Sequence, residues 1–398
     1  MEYRISDRIA ALKPSAIREI LKNTANPHVI PFAAGNPSPD AFPVKEISKI
    51  SSIVLENSAV AALQYSVSEG YAPLRTAVDN FCEAQEPGLK DNDLDETLIV
   101  TGGQQGIDLT AKCLLNEGDI VICEDPSFIG ALNTFRSYNV KLMGVPLESD
   151  GISIEGVEAI LKEYPRAKLI YLIPNFQNPG GCTMSLAKRK AVYELAKKYG
   201  AIILEDNPYG ALRYENEHIP AIKTLDTTGN VVYCASFSKI ISPGFRVGYL
   251  VARKELMQKL VVAKQCSDVH TPMLTQMISQ QFLSTCNIDA HISSMIRLYR
   301  TKRDLMCSMI DTYFGDKITY VRPEGGLFVW CTMPCGSDMI GFVKAALEKN
   351  VAVVPGNAFC ADPSAQSFSF RMNFSTPTAT QITDGMEILG DVLKNFVK

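Results

Sequence analysis

The chain has 398 residues, of which 46% are hydrophobic and 21% are charged. This length suffices for two or three domains, and the composition is typical of a globular protein with a large core, which excludes a disordered chain. The formal net charge of −4 gives no electrostatic reason to expect a nucleic acid or an anionic membrane as a partner.

The first residues, MEYRISDRIAALKPS, carry charges where a signal peptide would have its apolar core. No later stretch approaches the roughly 18 apolar residues of a membrane span, so we expect a cytoplasmic protein. The 11 cysteines form no CxxC pair and the 4 histidines are isolated. We therefore expect reduced thiols and no metal site.

Between about residues 95 and 250, short apolar runs alternate with stretches of helical periodicity. This pattern is typical of an α/β fold with a mainly parallel sheet. The clearest runs predict strands at Thr97–Val100, Ile120–Cys123, Leu169–Ile173, Ala201–Leu204 and Val231–Ala235.

Two helices are predicted beside these strands. Apolar residues recur with a helical period over Gly103–Leu115, so a helix N-terminus opens directly after the first strand and points free N–H groups at that strand end. A second helix follows Ser185, which can cap its start, and ends at Gly200, which can stop it.

After about residue 285 the helical stretches become longer and more charged. They predict helices at Met295–Tyr313, Asp338–Lys349 and Gln381–Val397. We therefore predict an α/β large domain over 46–284, with a mainly parallel sheet sandwiched by helices. A smaller α+β domain would consist of 285–398 together with the N-terminal segment 1–45.

Polar motifs follow four of the predicted strands. TGGQQG follows the first, PNFQNPGG the third, EDNPYG the fourth, and SFSK with PGFRVGY the fifth. Ligands of parallel sheets bind outside the carboxyl ends of the strands, so we expect the side chains of these motifs to meet at one site.

Together these side chains suit an aromatic nitrogen cation that carries a phenolate, an aldehyde and a phosphate, as pyridoxal phosphate does. Asp206 can keep the ring nitrogen protonated, because a carboxylate favours a cation beside it. Asn178 and Tyr209 can donate hydrogen bonds to the phenolate. Lys239 supplies an amine whose pKa falls when it is partly buried beside cations. The predicted phosphate site consists of Gly103, Gln104, Ser236, Ser238 and Arg246.

Further motifs occur in the same order as in a known family: PFAAGNPSPDAFP, LQYSVSEGYAPLR, EDPSFIG, PEGGLFVW and FRMNFS. With them, nearly the whole chain resembles the fold-type I pyridoxal-phosphate-dependent enzymes of the class I/II aminotransferase family. The nearest likeness is to the branch with 2-aminoadipate and kynurenine aminotransferases, on the motifs SAIREILK, QQGIDL and KQCSDVHTPMLTQ.

The resemblance implies a role for each catalytic residue. Lys239 would form the Schiff base with the cofactor, and Asp206 would pair with the ring nitrogen. Tyr209 and Asn178 would bind the 3′-oxygen. Phe128 would stack on the cofactor ring, where closer relatives often have tyrosine.

The same resemblance implies the substrate contacts and the assembly. Arg371 would bind the α-carboxylate of the substrate, with Asn178 and Gly35 nearby. Arg18 matches an arginine that meets the distal carboxylate of a dicarboxylic substrate. Tyr65 resembles a tyrosine that reaches the partner's cofactor phosphate, which implies a homodimer with shared active sites.

Three other functions match parts of the sequence. Residues 236–239 formally satisfy the SxxK motif of serine acyltransferases, but no SDN or KTG element follows. A GntR-type regulator needs a winged-helix domain, and only about 30 residues precede PFAAGNP. A pyridoxal-phosphate-dependent C–S β-lyase stays open as an alternative function.

We expect an aminotransferase that moves an amino group between an L-amino acid, of the 2-aminoadipate, glutamate or aromatic type, and a 2-oxo acid.

Overall fold

The computed structural model describes residues 3–10, 12, 26 and 28–397. Arg18, the residue expected at the distal carboxylate, lies outside the described residues, as does the whole SAIREILK motif. Within the described part of the chain, no helix is both long enough and apolar enough to cross a membrane.

An eight-stranded sheet forms the larger part of the fold. Its strands lie in the order β1-β8-β7-β6-β5-β2-β3-β4. The run from β7 to β3 is parallel throughout. Strand β8 is antiparallel to both β7 and β1, so β1 points in the same direction as the parallel run. The strands are β1 (Asp95–Val100), β2 (Ile120–Asp125), β3 (Lys141–Glu148), β4 (Gly151–Ile152), β5 (Leu169–Leu172), β6 (Ile202–Asp206), β7 (Val231–Ser236) and β8 (Gly248–Arg253).

The predicted strands are all present, but their bounds differ from the predicted ones. Strand β6 continues to Asp206, which pairs with Cys234, and β7 continues to Ser236, which pairs with Gly248. The sequence pattern placed both residues after the strands because their polar side chains end the apolar runs. Strand pairing uses backbone groups, and these continue beyond the last apolar side chain.

Helices cover both faces of this sheet. Neighbouring residues of β5 and β6 point to opposite faces, so Tyr171 and Leu204 join one core cluster while Ile170 and Ile203 join another. Each cluster includes side chains from helices, which confirms the predicted sandwich. The helices of this part are Val44–Leu63, Ala72–Gln85, Gly103–Leu114, Ile129–Arg136, Ile154–Glu163, Leu186–Tyr199, Lys254–Gln265 and Met273–Thr285.

The helix Leu186–Tyr199 begins and ends at its predicted caps. The hydroxyl of Ser185 accepts a hydrogen bond from the N–H of Lys188, and Gly200 adopts a left-handed conformation with φ of 68°. These caps are local, so the sequence alone identifies them.

A second, antiparallel sheet lies in the C-terminal part. Its order is β11-β12-β10-β9, from β9 (Thr319–Tyr320), β10 (Phe328–Thr332), β11 (Val354–Pro355) and β12 (Ser369–Asn373). The helices Ile288–Tyr313, Met339–Glu348 and Ala379–Leu393 accompany it, and the first packs against the last. The predicted smaller α+β unit is thus confirmed, while the division at residues 45/46 and 284/285 stays a prediction.

The N-terminal segment joins the small sheet region. Ile30 forms a parallel bridge with Val351, and the N–H of Asn373 donates to the carbonyl oxygen of Phe32 at 2.8 Å. Residues 33–36 therefore run past the end of β12, directly beside the site described next. A short helix, Asp7–Ala10, lies further towards the N-terminus.

Candidate active site

A cavity of about 430 Å³ lies at the carboxyl edge of the parallel strands. Its walls come from this edge, from the small sheet and from the N-terminal segment. Twelve of the residues predicted for the site line it: Gly35, Gly103, Gln104, Phe128, Asn178, Asp206, Tyr209, Ser236, Ser238, Lys239, Arg246 and Arg371. Tyr65 does not belong to this lining, and Arg18 is outside the described residues.

Asp206, the last residue of β6, is a buried carboxylate with 4% of its surface exposed. The hydroxyl of Tyr171 donates a hydrogen bond to Asp206 Oδ2 at 2.7 Å, which favours the charged form. Burial is the larger effect and raises the pKa of Asp206 from 3.8 to about 6. Among the described residues no lysine or arginine forms an ion pair with it, so a cation in the cavity would offset the cost of burying this charge.

Lys239 lies three residues beyond β7. Its Nζ donates a hydrogen bond to the carbonyl oxygen of Gly35 at 2.8 Å and lies 6.0 Å from the centre of the Tyr209 ring. Burial, together with the positive charges of Arg371 and Arg246, lowers the pKa of Lys239 from 10.5 to about 8. A larger fraction of this amine is therefore neutral near pH 7, as a nucleophile or a base requires.

Hydroxyl, guanidinium and backbone N–H groups converge at one end of the cavity. The side-chain oxygens of Ser236 and Ser238 lie 2.7 Å apart. Arg246 donates from Nη2 to the carbonyl oxygen of Thr101 at 3.2 Å. The helix Gly103–Leu114 begins beside them, and its first N–H groups lack partners within the helix. Such a donor set binds a multiply charged anion, of which phosphate is the obvious example.

Two glycines allow the groups at this end of the cavity to pack closely. A Cβ on Gly102, whose φ is 75°, would overlap the guanidinium of Arg246. A Cβ on Gly248 would lie 2.8 Å from the carbonyl oxygen of Ala235 and 3.0 Å from the backbone nitrogen of Gly103. A larger residue at either position would displace Arg246 or the start of the helix.

Arg371, on β12, is a buried residue of the cavity lining. It donates from Nη1 to Asn178 Oδ1 at 2.9 Å and from Nη2 to the carbonyl oxygen of Ala33 at 3.0 Å. Its guanidinium carbon lies 4.1 Å from the centre of the Phe328 ring and 5.0 Å from that of Phe359.

These contacts fix the plane of the Arg371 guanidinium, which suits a planar carboxylate. Burial lowers the pKa of Arg371 to about 10, so the group stays charged at neutral pH. Its Nε is also buried and has no hydrogen-bond partner among the described residues.

Tyr209, Phe128 and Gln104 complete the lining. Burial raises the pKa of Tyr209, so its hydroxyl remains a donor at neutral pH. Phe128 directly precedes the helix Ile129–Arg136. The side chain of Gln104 donates to Thr134 Oγ1 at 2.7 Å, so it joins two helices and leaves its backbone N–H as the group available to a ligand.

Tyr65 lies on the surface, with 83% of its area exposed. Its ring meets the edge of the His270 ring at a distance of 5.8 Å between centroids. Val60, Leu63 and Val67 are exposed nearby along the chain. Tyr65 thus belongs to an apolar surface at the end of the helix Val44–Leu63 rather than to the cavity of its own chain.

Tyr171 is a site residue that sequence reasoning missed. It lies inside a buried strand, where an aromatic side chain is ordinarily a core residue. The available signal was a single hydroxyl in an otherwise aliphatic run, LIYLI, which needs a hydrogen-bond partner when buried. Residues of the described chain form no cluster suited to a metal ion.

Comparisons with known proteins agree with this site. Residues 27–389 match the family model of aminotransferase class I and II. The chain is 37% identical to aromatic-amino-acid aminotransferase 1 of Thermococcus litoralis, covering 100% of this chain and 95% of the relative. It is also 37% identical to the 2-aminoadipate transaminase of Thermus thermophilus, covering 97% and 95%.

A solved structure is similar over nearly the whole chain. It is the kynurenine aminotransferase of Pyrococcus horikoshii in complex with PMP, KYN and KYA, with a TM-score of 0.94, 34% identity and coverage of 98% of this chain and 97% of that one. The predicted resemblance, including the branch with 2-aminoadipate and kynurenine aminotransferases, is confirmed by these matches. The chain therefore belongs to the aminotransferase class I and II family, and it is an enzyme that moves an amino group between an amino acid and a 2-oxo acid.

Proposed function

We propose that this aminotransferase uses pyridoxal phosphate, bound in the cavity, and takes its amino group from an L-amino acid of the 2-aminoadipate, glutamate or aromatic type. One observation carries the proposal. Asp206, a buried carboxylate without a cationic partner in the described chain, lines the same cavity as Lys239, an amine whose pKa is lowered to about 8.

The residues fit the cofactor at each of its polar groups. The hydrogen bond from Tyr171 occupies Asp206 Oδ2 and leaves Oδ1 for a protonated ring nitrogen. Tyr209 and Asn178 would donate to the phenolic oxygen. The phosphate would take the anion-binding end, whose arrangement a side chain at Gly102 or Gly248 would disturb. Its donors would be Ser236, Ser238, Arg246 and the N–H groups of Gly103 and Gln104.

Each catalytic side chain then has a defined task. Bound pyridoxal phosphate supplies an aldehyde that an amine can attack and a ring that withdraws electrons from the substrate's Cα–H bond. Asp206 stabilises the positive charge of the ring nitrogen. Lys239, in its neutral form, accepts the proton from the substrate Cα and can return it. Arg371 binds the α-carboxylate and so orients that Cα–H bond.

The substrate class rests on the relatives and on the cavity wall. The names of similar proteins refer to aromatic amino acids, 2-aminoadipate and kynurenine as substrates. Beside its polar groups the cavity has an apolar wall, to which Ile107, Ile129, Ile173 and Phe328 contribute. This wall suits a long or aromatic side chain. The contact of Arg18 with a distal carboxylate stays a proposal.

We also propose that the active form is a homodimer, in which Tyr65 of one protomer reaches the cofactor phosphate of its partner. The exposed apolar surface at Val60, Leu63, Tyr65 and Val67 supports this, because such a surface is costly in water and is typical of an interface. Tyr65 also contacts His270, and the neighbouring Thr271 lies 3.1 Å from Thr101 beside the anion-binding end.

The test is a panel of amino acids and 2-oxoglutarate mixed with the purified protein and pyridoxal phosphate. We expect a coloured protein, borohydride fixation of the cofactor on Lys239, and formation of glutamate with the 2-oxo acid of the donor. A protein that stays colourless, or fixation on another lysine, would contradict the cofactor site. Pyruvate, ammonia and a thiol from cysteine conjugates would identify a β-lyase instead.

A further inference from the structure

Lys264 is a fully buried lysine to which the proposed chemistry gives no task. It lies on the helix Lys254–Gln265 and begins the motif KQCSDVHTPMLTQ. Its ammonium donates to Gln105 Oε1 at 2.7 Å, to Asp268 Oδ1 at 2.9 Å and to Thr271 Oγ1 at 3.2 Å. Burying an ammonium is unfavourable unless it is paired in this way.

The three partners of Lys264 all contact Thr101, the residue that follows β1. Gln105 Oε1 accepts the N–H of Thr101 at 2.7 Å. The Thr101 hydroxyl donates to Asp268 Oδ2 at 2.5 Å and lies 3.1 Å from Thr271 Oγ1. Lys264 therefore holds the groups that fix both the backbone and the side chain of Thr101.

Thr101 in turn borders the anion-binding end of the cavity. Its carbonyl oxygen accepts the hydrogen bond from Arg246 Nη2. Gly102 and Gly103 follow it directly, and the helix with the free N–H groups begins at Gly103. A shift of Thr101 would move the guanidinium and these N–H groups together.

We propose that Lys264 is a positioning residue for the phosphate of the cofactor. It acts through Gln105, Asp268 and Thr271, which hold Thr101 and thereby place Arg246 and the start of the helix around the phosphate. This proposal rests on the proposed binding of pyridoxal phosphate in the cavity. The hydrogen bond between Lys264 and Gln105 links two motifs that resemble the branch with 2-aminoadipate and kynurenine aminotransferases. Gln105 belongs to QQGIDL, and Lys264 begins KQCSDVHTPMLTQ.

A second buried lysine provides a matched control. Lys223 is 2% exposed and is held by Asp95 at 3.2 Å and Asp226 at 2.8 Å. It does not line the cavity. Loss of Lys223 should therefore affect folding alone, whereas loss of Lys264 should affect the phosphate site as well.

The test compares pyridoxal phosphate with pyridoxal, which lacks the phosphate, in binding to the apo forms of the wild type, Lys264→Met and Lys223→Met. We expect Lys264→Met to weaken binding of pyridoxal phosphate about tenfold or more while pyridoxal binding changes by less than about twofold, since only bonds at the phosphate are disturbed. Lys223→Met should leave the ratio of the two dissociation constants at the wild-type value.

Other results would overturn the proposal. Equal weakening of both ligands by Lys264→Met, or no weakening at all, would leave Lys264 a purely structural residue. If Lys264→Met does not fold, Gln105→Leu breaks the same link at Thr101 and should lower the affinity for pyridoxal phosphate alone. A wild type that binds neither ligand at Lys239 would instead contradict the proposed function itself.

Discussion

Arg371 donates a hydrogen bond from Nη1 to Oδ1 of Asn178, at 2.9 Å, although 193 positions separate the two residues in the sequence. Arg371 belongs to β12 of the small sheet, and Asn178 follows β5 of the large sheet. The bond joins the two sheets across the cavity, so the group that would bind the substrate is oriented by the part that would bind the cofactor.

Lys239→Ala should strongly slow multiple turnover and leave cofactor binding in place. We expect kcat to fall by about 10³-fold, because the variant lacks the base that removes the Cα proton. Steady-state kinetics and the absorbance of bound pyridoxal phosphate measure the two effects. Lys190→Ala, at an exposed position on the helix Leu186–Tyr199, is the control. Full steady-state activity in Lys239→Ala would refute the assignment.

Arg371→Lys should chiefly weaken binding and orientation of the amino acid. A lysine cannot replace the planar, bidentate contact of the guanidinium, so kcat/KM should fall by the equivalent of about 2 to 4 kcal/mol. Kinetics with several amino acids measure this loss. The dissociation constant of pyridoxal phosphate should change little. Unaltered kinetics with every amino acid would contradict the proposed binding of the α-carboxylate by Arg371.

Asp206→Asn should make the apo-protein more stable at neutral pH. In the unfolded chain the carboxyl titrates near 3.8, whereas burial raises the pKa to about 6 in the folded protein. Between pH 3.8 and about pH 6 the folded protein therefore binds more protons than the unfolded chain. As the pH rises through this range, ionisation of the Asp206 carboxyl destabilises the folded state. We expect a gain of about 3 kcal/mol in the free energy of unfolding at pH 7, and of only about 0.5 kcal/mol at pH 4.

Denaturant unfolding of the apo-protein at both pH values measures this difference. The same substitution should lower transamination strongly, because asparagine cannot stabilise a protonated ring nitrogen. An apo-protein that Asp206→Asn destabilises more at pH 7 than at pH 4 would contradict the interpretation of Asp206 as an unpaired buried charge.

The amine of Lys239 should react with acylating reagents at unusually low pH. Its pKa is lowered to about 8 by burial and by two neighbouring arginines. In the apo-protein, acylation of Lys239 should therefore rise with pH and reach half its maximum near pH 8, whereas lysines in unstructured peptides have a pKa of about 10.4. Peptide mass spectrometry after brief labelling gives the profile. A midpoint near the pKa of a lysine in an unstructured peptide would contradict the lowered pKa of Lys239.

Mixed dimers should reveal whether Tyr65 serves the partner's site. Lys239→Ala and Tyr65→Ala chains are each impaired alone, but a mixed dimer would contain one site with Lys239 from one chain and Tyr65 from the other. Activity should therefore rise when the two variants are unfolded and refolded together. Activity equal to the mean of the separate variants would place Tyr65 outside the partner's site.

The sequence predicted much of the site because its residues follow a local rule. Gly103, Asp206 and Lys239 lie at or just beyond strand ends, and parallel strands bring their carboxyl ends to one edge. The apolar runs predict the strands, so the convergence of these residues follows from the pattern alone. The caps at Ser185 and Gly200 were predictable for the same reason, since each acts within its own helix.

Contacts between distant segments could not be predicted in this way. Periodicity shows that Tyr171 is buried but not that its hydroxyl meets Asp206 on the next strand. It gives no sign that Lys264 supports Thr101 from another helix. Strand β8 was not among the predicted strands, because its first residues were assigned to the motif PGFRVGY. Its antiparallel direction depends on how the chain returns to the sheet and not on the residue pattern.

The backbone of residues 33–35 has a further consequence for catalysis. Ala33 gives its carbonyl oxygen to Arg371, and Gly35 gives its own to Lys239. In its proposed role, Arg371 would receive the substrate carboxylate with a guanidinium that Ala33 and Asn178 already hold in place and whose Nε has no partner among the described residues. The N-terminal segment is thus a common anchor for the two charged side chains, and a change that loosens it should alter substrate affinity and amine reactivity together.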